Sequence, residues 1–314
     1  MITIADIEAA QDRISPYVRR TPIIGTSLAR DPLPVTASVT LKLELHQVTG
    51  SFKARGAMNR LLGTPADEIK AGIVTASGGN HGLAVARTAK VAGVPAVIYV
   101  PETVSPAKVD KMRKWDAEVR FVGTEWSVSN EAALDYARSR GAAYFHPFAD
   151  PLVVAGQGTL GLEILDQTWD FDTIVVAVGG GGLISGLSTA IKARRPNVRF
   201  VAVEPVGSPT MKASLDAGKV VTLPEVTSRV ATMTCRRTDE RVFELARHNI
   251  AEVVLVSDDA MQAAAQWLWI ELGIAADLSG AASIAALQSG HPAFADSKRI
   301  CALICGAGAE GTTP

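Results

Sequence analysis

Residues 174–186 read Ile-Val-Val-Ala-Val-Gly-Gly-Gly-Gly-Leu-Ile-Ser-Gly. The five apolar residues at the start predict a buried β-strand, and the residues from 182 onward have the spacing of a helix. Four consecutive glycines cost about 0.5–1 kcal/mol each relative to alanine, so a purely structural role does not account for all four. Backbone N–H groups at the start of a helix bind anions, and a bound phosphate therefore explains the glycine run better.

The same alternation of strand and helix runs along most of the chain. The predicted strands are residues 39–45, 72–75, 96–100, 118–122, 174–178, 200–203, 253–256 and 300–304. The predicted helices are residues 80–91, 131–140, 182–194 and 258–271. Units of this kind pair into mostly parallel sheets that are covered by helices on both faces, so the predicted fold class is α/β.

Length and composition exclude several classes of protein. The chain has 314 residues, enough for two domains or one large α/β unit, and its 47% of hydrophobic residues exclude disorder as the main state. A net charge of -1 makes nucleic acid and anionic membranes poor partners. No apolar run approaches the roughly 20 residues of a membrane span. Residues 1–10 also lack the basic region of a secretory signal, so we predict a cytoplasmic protein. Cys235, Cys301 and Cys305 indicate neither a disulfide framework nor structural zinc.

Two further polar segments follow predicted strands, at the edge where α/β sheets bind ligands. Residues 50–56 read Gly-Ser-Phe-Lys-Ala-Arg-Gly, and taken alone they are better explained as a capped helix start with a solvated lysine. Residues 76–82 read Ala-Ser-Gly-Gly-Asn-His-Gly and expose N–H groups suited to a carboxylate or phosphate. A tight turn capped by Ser77 explains this segment equally well, and His81 alone is also typical of a core histidine.

Nucleotide-binding motifs fit the chain less well. Leu187 stands where the Walker pattern requires lysine, and the glycine run lacks the third glycine of the dinucleotide fingerprint. A literal GxGxxG at residues 306–311 is followed by too few residues for a helix. Glu204, however, stands where an acid would bind a ribose. A non-catalytic dinucleotide-binding module therefore stays open as an alternative of a different class.

Taken together, the SFKxRG, SGGNHG and GGGG segments and the small polar residue that ends the last strand resemble one family. In this order and spacing they are similar to the fold-type-II pyridoxal-phosphate enzymes, in the threonine/serine dehydratase and serine racemase branch. The resemblance covers the chain from about residue 6 onward. It implies a tryptophan synthase beta-like fold of two three-layer αβα domains with mostly parallel sheets. The implied large domain comprises residues 1–52 and 147–314, and the small domain residues 53–146.

The resemblance also assigns residues to the cofactor and the substrate. The implied cofactor-binding residues are Phe52, Lys53, Asn80, Gly179, Gly180, Gly181, Gly182, Leu183 and Cys305. The implied substrate-binding residues are Ser77, Gly78, Gly79, Asn80 and His81. Lys53 is implied to bind pyridoxal phosphate covalently and to act as the catalytic base, Asn80 to bind the phenolic oxygen, and Cys305 to face the ring nitrogen. A desolvated lysine has a lowered pKa, which suits that role.

The implied activity is that of a dehydratase, or ammonia-lyase, which removes water from L-threonine, L-serine or a related 3-hydroxy amino acid and yields a 2-oxo acid and ammonia. A specialised 3-hydroxyaspartate or phenylserine dehydratase stays open, because residues 277–281 read Asp-Leu-Ser-Gly-Ala instead of the family's Glu-Pro-x-Gly-Ala. A serine racemase is less favoured, because Gly78 stands where racemases have a proton-donating serine. A β-replacement synthase also fits less well.

Family members also suggest a cation site and an oligomer. Glu204 and Ser208 match two of the positions that hold Mg²⁺ or Ca²⁺ in relatives, but Thr210 replaces the second acid, and a single carboxylate binds such ions weakly. The resemblance implies a homodimer or a homotetramer. Because few residues follow the last predicted strand, no regulatory domain is expected.

Overall fold

The structure is a computed structural model and describes residues 1–312. Its strands are β1 (Ile23–Gly25), β2 (Ser38–Lys42), β3 (Ile73–Ala76), β4 (Ala96–Val100), β5 (Glu118–Phe121), β6 (Ala143–Tyr144), β7 (Thr173–Ala177), β8 (Arg199–Pro205), β9 (Ile250–Val256) and β10 (Arg299–Leu303). Its α-helices are α1 (Ile4–Ile14), α2 (Lys53–Leu62), α3 (Asn80–Ala92), α4 (Pro106–Arg113), α5 (Trp126–Arg140), α6 (Pro151–Gln167), α7 (Gly182–Arg194), α8 (Thr210–Ala217), α9 (Glu240–Arg247), α10 (Asp258–Leu272) and α11 (Leu278–Gln288). Within the described residues, no helix is both long enough and apolar enough to span a bilayer.

The strands form two sheets. The larger has the order β1-β2-β10-β7-β8-β9 and the smaller the order β5-β4-β3-β6. All pairs are parallel except β1 with β2. The central strands β7 and β4 are buried along their whole length, as expected for parallel strands covered on both faces. The predicted α/β class with two mostly parallel sheets is confirmed.

The sheets gather the polar segments at the carboxyl ends of their strands. The glycine run, residues 179–182, follows β7. The Ser77 loop, residues 77–79, follows β3, and Cys305 follows β10. The start of α2 is tied to the end of β10, because Ser51 pairs with Gly306 in an isolated antiparallel bridge and the Phe52 N–H donates to the Cys305 carbonyl at 3.2 Å. The topology therefore brings Lys53, the first residue of α2, next to Cys305.

Several elements differ from the predicted ones. The strand predicted at 39–45 ends at Lys42, because the chain turns into a 3-10 helix at Glu44–His46. Helix α6 was not predicted, since every residue from 153 to 165 is buried and no polar stripe marks a helical period. The short strands β1 and β6 also lacked a signal. All four strands of the smaller sheet lie between residues 73 and 144, while the predicted domain boundaries stay a prediction.

Candidate active site

Lys53 is held at the start of α2 with its amine in an apolar setting. Its Nζ donates to the Pro147 carbonyl at 2.7 Å and lies 5.1 Å from the centre of the Phe52 ring. Burial lowers the pKa of Lys53 to about 8, while Cys305 and Cys235 act weakly in the opposite direction. A substantial fraction of the amine is therefore neutral near physiological pH, as a nucleophile or base requires.

A buried ion cluster of Lys42, Glu44, Arg55 and Glu163 anchors the first turn of α2. Arg55 donates to both oxygens of Glu44 at 2.7 and 2.8 Å, and its Nη2 also donates to Glu163 at 2.7 Å. Lys42 donates to the other oxygen of Glu163 at 2.5 Å. Arg55 lies two residues after Lys53. The cluster therefore joins α2, close to Lys53, to the end of β2 and to α6. Sequence reasoning did not identify it, although two charged residues at the end of an apolar strand were a signal.

The Ser77 loop leads into α3 with free backbone donors. Gly79, the residue before α3, has no side chain to cap it, and the N–H groups of the first helical turn have no partner within the helix. Ser77 Oγ accepts from the Gly79 N–H at 3.3 Å. This arrangement suits an anion, because the N–H groups and the helix dipole both favour negative charge.

His81 is buried next to this loop as a neutral ring. Its Nε2 lies 3.0 Å from the Phe145 carbonyl, and because a carbonyl only accepts, Nε2 donates. Burial and the nearby Lys53 lower the pKa of His81 to about 3. The other ring nitrogen, Nδ1, then carries a lone pair and has no partner among residues 1–312. A carboxylate would therefore be bound by the backbone N–H of His81 and not by its ring.

Asp277 and Ser279 together connect Asn80 with Cys305. Asn80 Nδ2 donates to Asp277 Oδ2 at 2.8 Å, and Ser279 Oγ donates to Asp277 Oδ1 at 2.7 Å. The Cys305 thiol donates to the Ser279 carbonyl at 3.4 Å, and its sulfur lies 3.9 Å from Ser279 Oγ. Asp277 also caps α11 by accepting from the Gly280 N–H. The side chains predicted to bind the phenolic oxygen and to face the ring nitrogen are thus connected through Ser279 and Asp277, the acid that departs from the family pattern.

The glycine run is crowded as well as rich in donors. A Cβ on Gly180 would lie 2.2 Å from the Phe148 ring, and one on Gly182 would lie 2.7 Å from the Phe148 carbonyl. Gly181 has a φ of +89°, which side chains rarely adopt. Close packing therefore explains more of the run than the sequence suggested. The uncapped N-terminus of α7 still offers the N–H groups that a phosphate needs.

The predicted segments come together around Lys53. Pro147, which accepts from Lys53, precedes the Phe148 that packs on the glycine run, and Thr238 Oγ1 donates to the Gly180 carbonyl at 2.9 Å. The donors suit pyridoxal phosphate: the amine of the half-buried Lys53 for the aldehyde, free N–H groups for the phosphate, an amide for the phenolic oxygen and a thiol for the ring nitrogen. The roles of the individual residues stay predictions.

Glu204 and Ser208, the predicted cation ligands, have protein partners. The Glu204 carboxylate accepts from the N–H groups of Met211 and Lys212, each at 2.8 Å, at the start of α8. Burial raises the pKa of Glu204 to about 7. Ser208 Oγ accepts from the Cys235 N–H at 3.1 Å. Within residues 1–312, no three His, Cys, Asp or Glu side chains form a metal cluster, and the Mg²⁺ or Ca²⁺ site stays a prediction.

Comparison with known proteins identifies the family. Residues 14–306 match the family model described as "Pyridoxal-phosphate dependent enzyme". The chain is 36% identical to an L-threonine ammonia-lyase of Geobacter sulfurreducens, over 95% of this chain and 73% of that protein. It is 34% identical to a catabolic L-threonine dehydratase of Staphylococcus aureus, over 99% of this chain and 90% of that protein.

Solved structures give the same result. A threonine deaminase from T.th. superposes with a TM-score of 0.90 at 35% identity, covering 98% of each chain. Maize serine racemase superposes with a TM-score of 0.90 at 31% identity, covering 97% of this chain and 93% of that one. The predicted fold type, the pyridoxal phosphate cofactor and the predicted class of enzyme, a lyase, are confirmed. The chain belongs to the pyridoxal-phosphate dependent enzyme family.

Proposed function

We propose that this protein removes water from L-threonine, L-serine or a closely related 3-hydroxy amino acid and releases a 2-oxo acid and ammonia. The observation that carries the proposal is the half-buried Lys53, whose amine has a pKa lowered to about 8 and lies beside donors for a carboxylate and a thiol for the ring nitrogen. The similarity to L-threonine ammonia-lyases supports the choice of substrate. A 3-hydroxyaspartate or phenylserine dehydratase is the alternative within the same chemistry.

The chain's residues divide the work. We assign the substrate carboxylate to the free N–H groups at the start of α3, together with Ser77 and Asn80. When bound, pyridoxal phosphate withdraws electrons from Cα and makes its proton acidic. Lys53 accepts that proton as the bond from Cβ to the hydroxyl oxygen breaks, so that the elements of water leave. Hydrolysis of the released unsaturated amino acid then takes up one water, and the products are one 2-oxo acid and one ammonia.

Cys305 favours elimination over transamination. Burial raises the pKa of its thiol well above the ordinary value, so the group stays neutral. A neutral thiol does not keep the ring nitrogen protonated as a carboxylate would, and less charge is drawn into the ring. The substituent on Cβ is then expelled more readily than the amino group is transferred.

A substrate screen tests the proposal. The purified protein is incubated with threonine, serine, 3-hydroxyaspartate and 3-phenylserine, and both ammonia and 2-oxo acid are measured. We expect equimolar products from threonine or serine, and visible absorbance near roughly 410 nm from the cofactor bound to lysine. Products from 3-hydroxyaspartate or 3-phenylserine alone would select the specialised dehydratase. A protein that is colourless and releases no ammonia from any of the four would contradict the proposal.

The pKa of Lys53 predicts how its reaction with cofactor depends on pH. Only the neutral amine attacks an aldehyde, so the rate at which cofactor-free protein binds pyridoxal phosphate covalently should fall about ten-fold per pH unit below 8 and level off above it. Borohydride-reducible product measures the rate. Nα-acetyllysine is the matched control, because it shares the cofactor's own ionisations but has an ordinary amine. A rate that still rises above pH 10 would contradict the lowered pKa.

An oligomer and a cytoplasmic location complete the proposal. Trp269 and Ile270 are exposed on α10, and Leu28 is fully exposed near the Arg30–Glu271 ion pair. Exposed apolar side chains close together often mark association surfaces, which supports a homodimer or homotetramer. The net charge of -1 supports neither a nucleic acid nor a membrane partner.

A further inference from the structure

Proteins that superpose closely on this chain include both threonine deaminases and serine racemases, so the fold by itself does not set the outcome of Cα deprotonation. A base on one face of Cα returns a proton only to that face. Inversion needs a second proton donor on the opposite face. The side chains that this chain places beside the Ser77 loop therefore decide whether inversion competes with elimination.

The side chain of Val104 fills the space that a side chain at position 78 would need. A Cβ built on Gly78 would lie 2.3 Å from Val104 Cγ2 and 3.2 Å from Val104 Cγ1. The backbone of Gly78 does not have a positive φ, so its conformation accepts other residues. The obstacle is therefore the valine and not the loop backbone.

Val104 is half-buried, and one backbone hydrogen bond and its packing position it. It lies between β4 and α4, its N–H donates to the Pro101 carbonyl at 3.1 Å, and its side chain packs against the apolar core of the smaller sheet. Valine is stiff about χ1, so its methyl groups do not rotate away easily. The next loop residue differs, because a Cβ on Gly79 would meet only Thr232 Cγ2 at 3.2 Å.

We propose that Val104 is a determinant of reaction specificity, because it excludes any proton-donating side chain from position 78 and leaves Lys53 as the acid–base group at Cα. This inference rests on the proposed function. It adds that elimination without inversion depends on a pair of positions, 78 and 104, from two different loops. A hydroxyl at position 78 alone should then fail to give an efficient racemase.

Thermal unfolding of cofactor-free protein tests the packing claim without any catalysis. Gly78→Ser should lower the midpoint by about 2–6 °C in the wild-type background, because it overpacks the Val104 contact. In the Val104→Ala background the same change should cost much less, so the two substitutions are strongly non-additive. Gly79→Ser is the matched control and should be additive with Val104→Ala. Equal costs of Gly78→Ser in both backgrounds would overturn the inference.

Serine turnover tests the consequence. The Gly78→Ser/Val104→Ala double variant should form D-serine from L-serine about ten-fold faster than the wild type or more, since one acid–base group contributes about 10²–10⁴-fold. Wild-type protein should form pyruvate with little D-serine. D-serine formation by the double variant at the wild-type rate would overturn the inference. A wild-type yield of D-serine comparable to its yield of pyruvate would also overturn it. Failure of the wild type to release ammonia from any of the four amino acids of the substrate screen would instead overturn the proposed function, and the unfolding result would still stand.

Discussion

A Lys53→Ala variant is expected to release ammonia about 10³-fold more slowly than the wild type, or slower still. Lys53 is the only lysine that the structure places with its amine between the glycine run, the Ser77 loop and Cys305, among residues 1–312. Its removal takes away both the covalent attachment of the cofactor and the base at Cα. Assays of 2-oxo acid and ammonia at saturating cofactor measure the loss.

Two controls separate chemistry from folding. Lys90→Ala removes an exposed lysine paired with Asp116 and should leave turnover unchanged. Borohydride reduction followed by peptide mapping should place the cofactor on Lys53 in the wild type and find no labelled peptide in Lys53→Ala. Undiminished 2-oxo acid production by Lys53→Ala would eliminate the assigned role.

An Arg55→Met variant is expected to lose about 3–5 kcal/mol of its free energy of unfolding. The Arg55 and Glu44 side chains are 2% and 0% exposed, so the substitution leaves a buried carboxylate with little compensation. Arg55→Lys should recover only part of the loss, since an ammonium does not reproduce the two-point contact with Glu44. Urea unfolding followed by circular dichroism gives the values.

An exposed ion pair supplies the matched control. Arg138 and Asp135 pair on α5 with side chains 72% and 71% exposed, so Arg138→Met should cost less than about 1 kcal/mol. Equal losses in Arg55→Met and Arg138→Met would show that the buried ion cluster contributes no more than a surface pair.

The cluster also predicts how stability changes with pH. Burial raises the pKa of Glu163, but Arg55 and Lys42 outweigh it and hold that pKa below the ordinary 4.5. The stabilisation is therefore present above pH 4.5 and is lost as the pH falls through the folded-state pKa. The stability difference between wild type and Arg55→Met should shrink in that acid range.

Patterns of apolar and turn residues predicted those elements whose structure depends on residues adjacent in the sequence. The strand before the glycine run, the helix after it and the lysine at the start of a helix all followed from apolar spacing and turn residues. Helix α6 was not predicted, because a helix that is buried on all sides has no polar stripe to mark its period. Strand β6 escaped because two residues are too few for a period.

The amino-acid sequence was sufficient to indicate the α/β class and the family and to predict a reactive lysine, because short motifs of neighbouring residues, in a fixed order along the chain, carry each of them. Only the tertiary structure revealed that Arg55 pairs with Glu163 and Asn80 with Asp277, and that Val104 closes the space beside Gly78. The first two contacts join residues 108 and 197 positions apart. Such contacts depend on how helices and loops pack against two sheets, and that packing is a property of the whole fold.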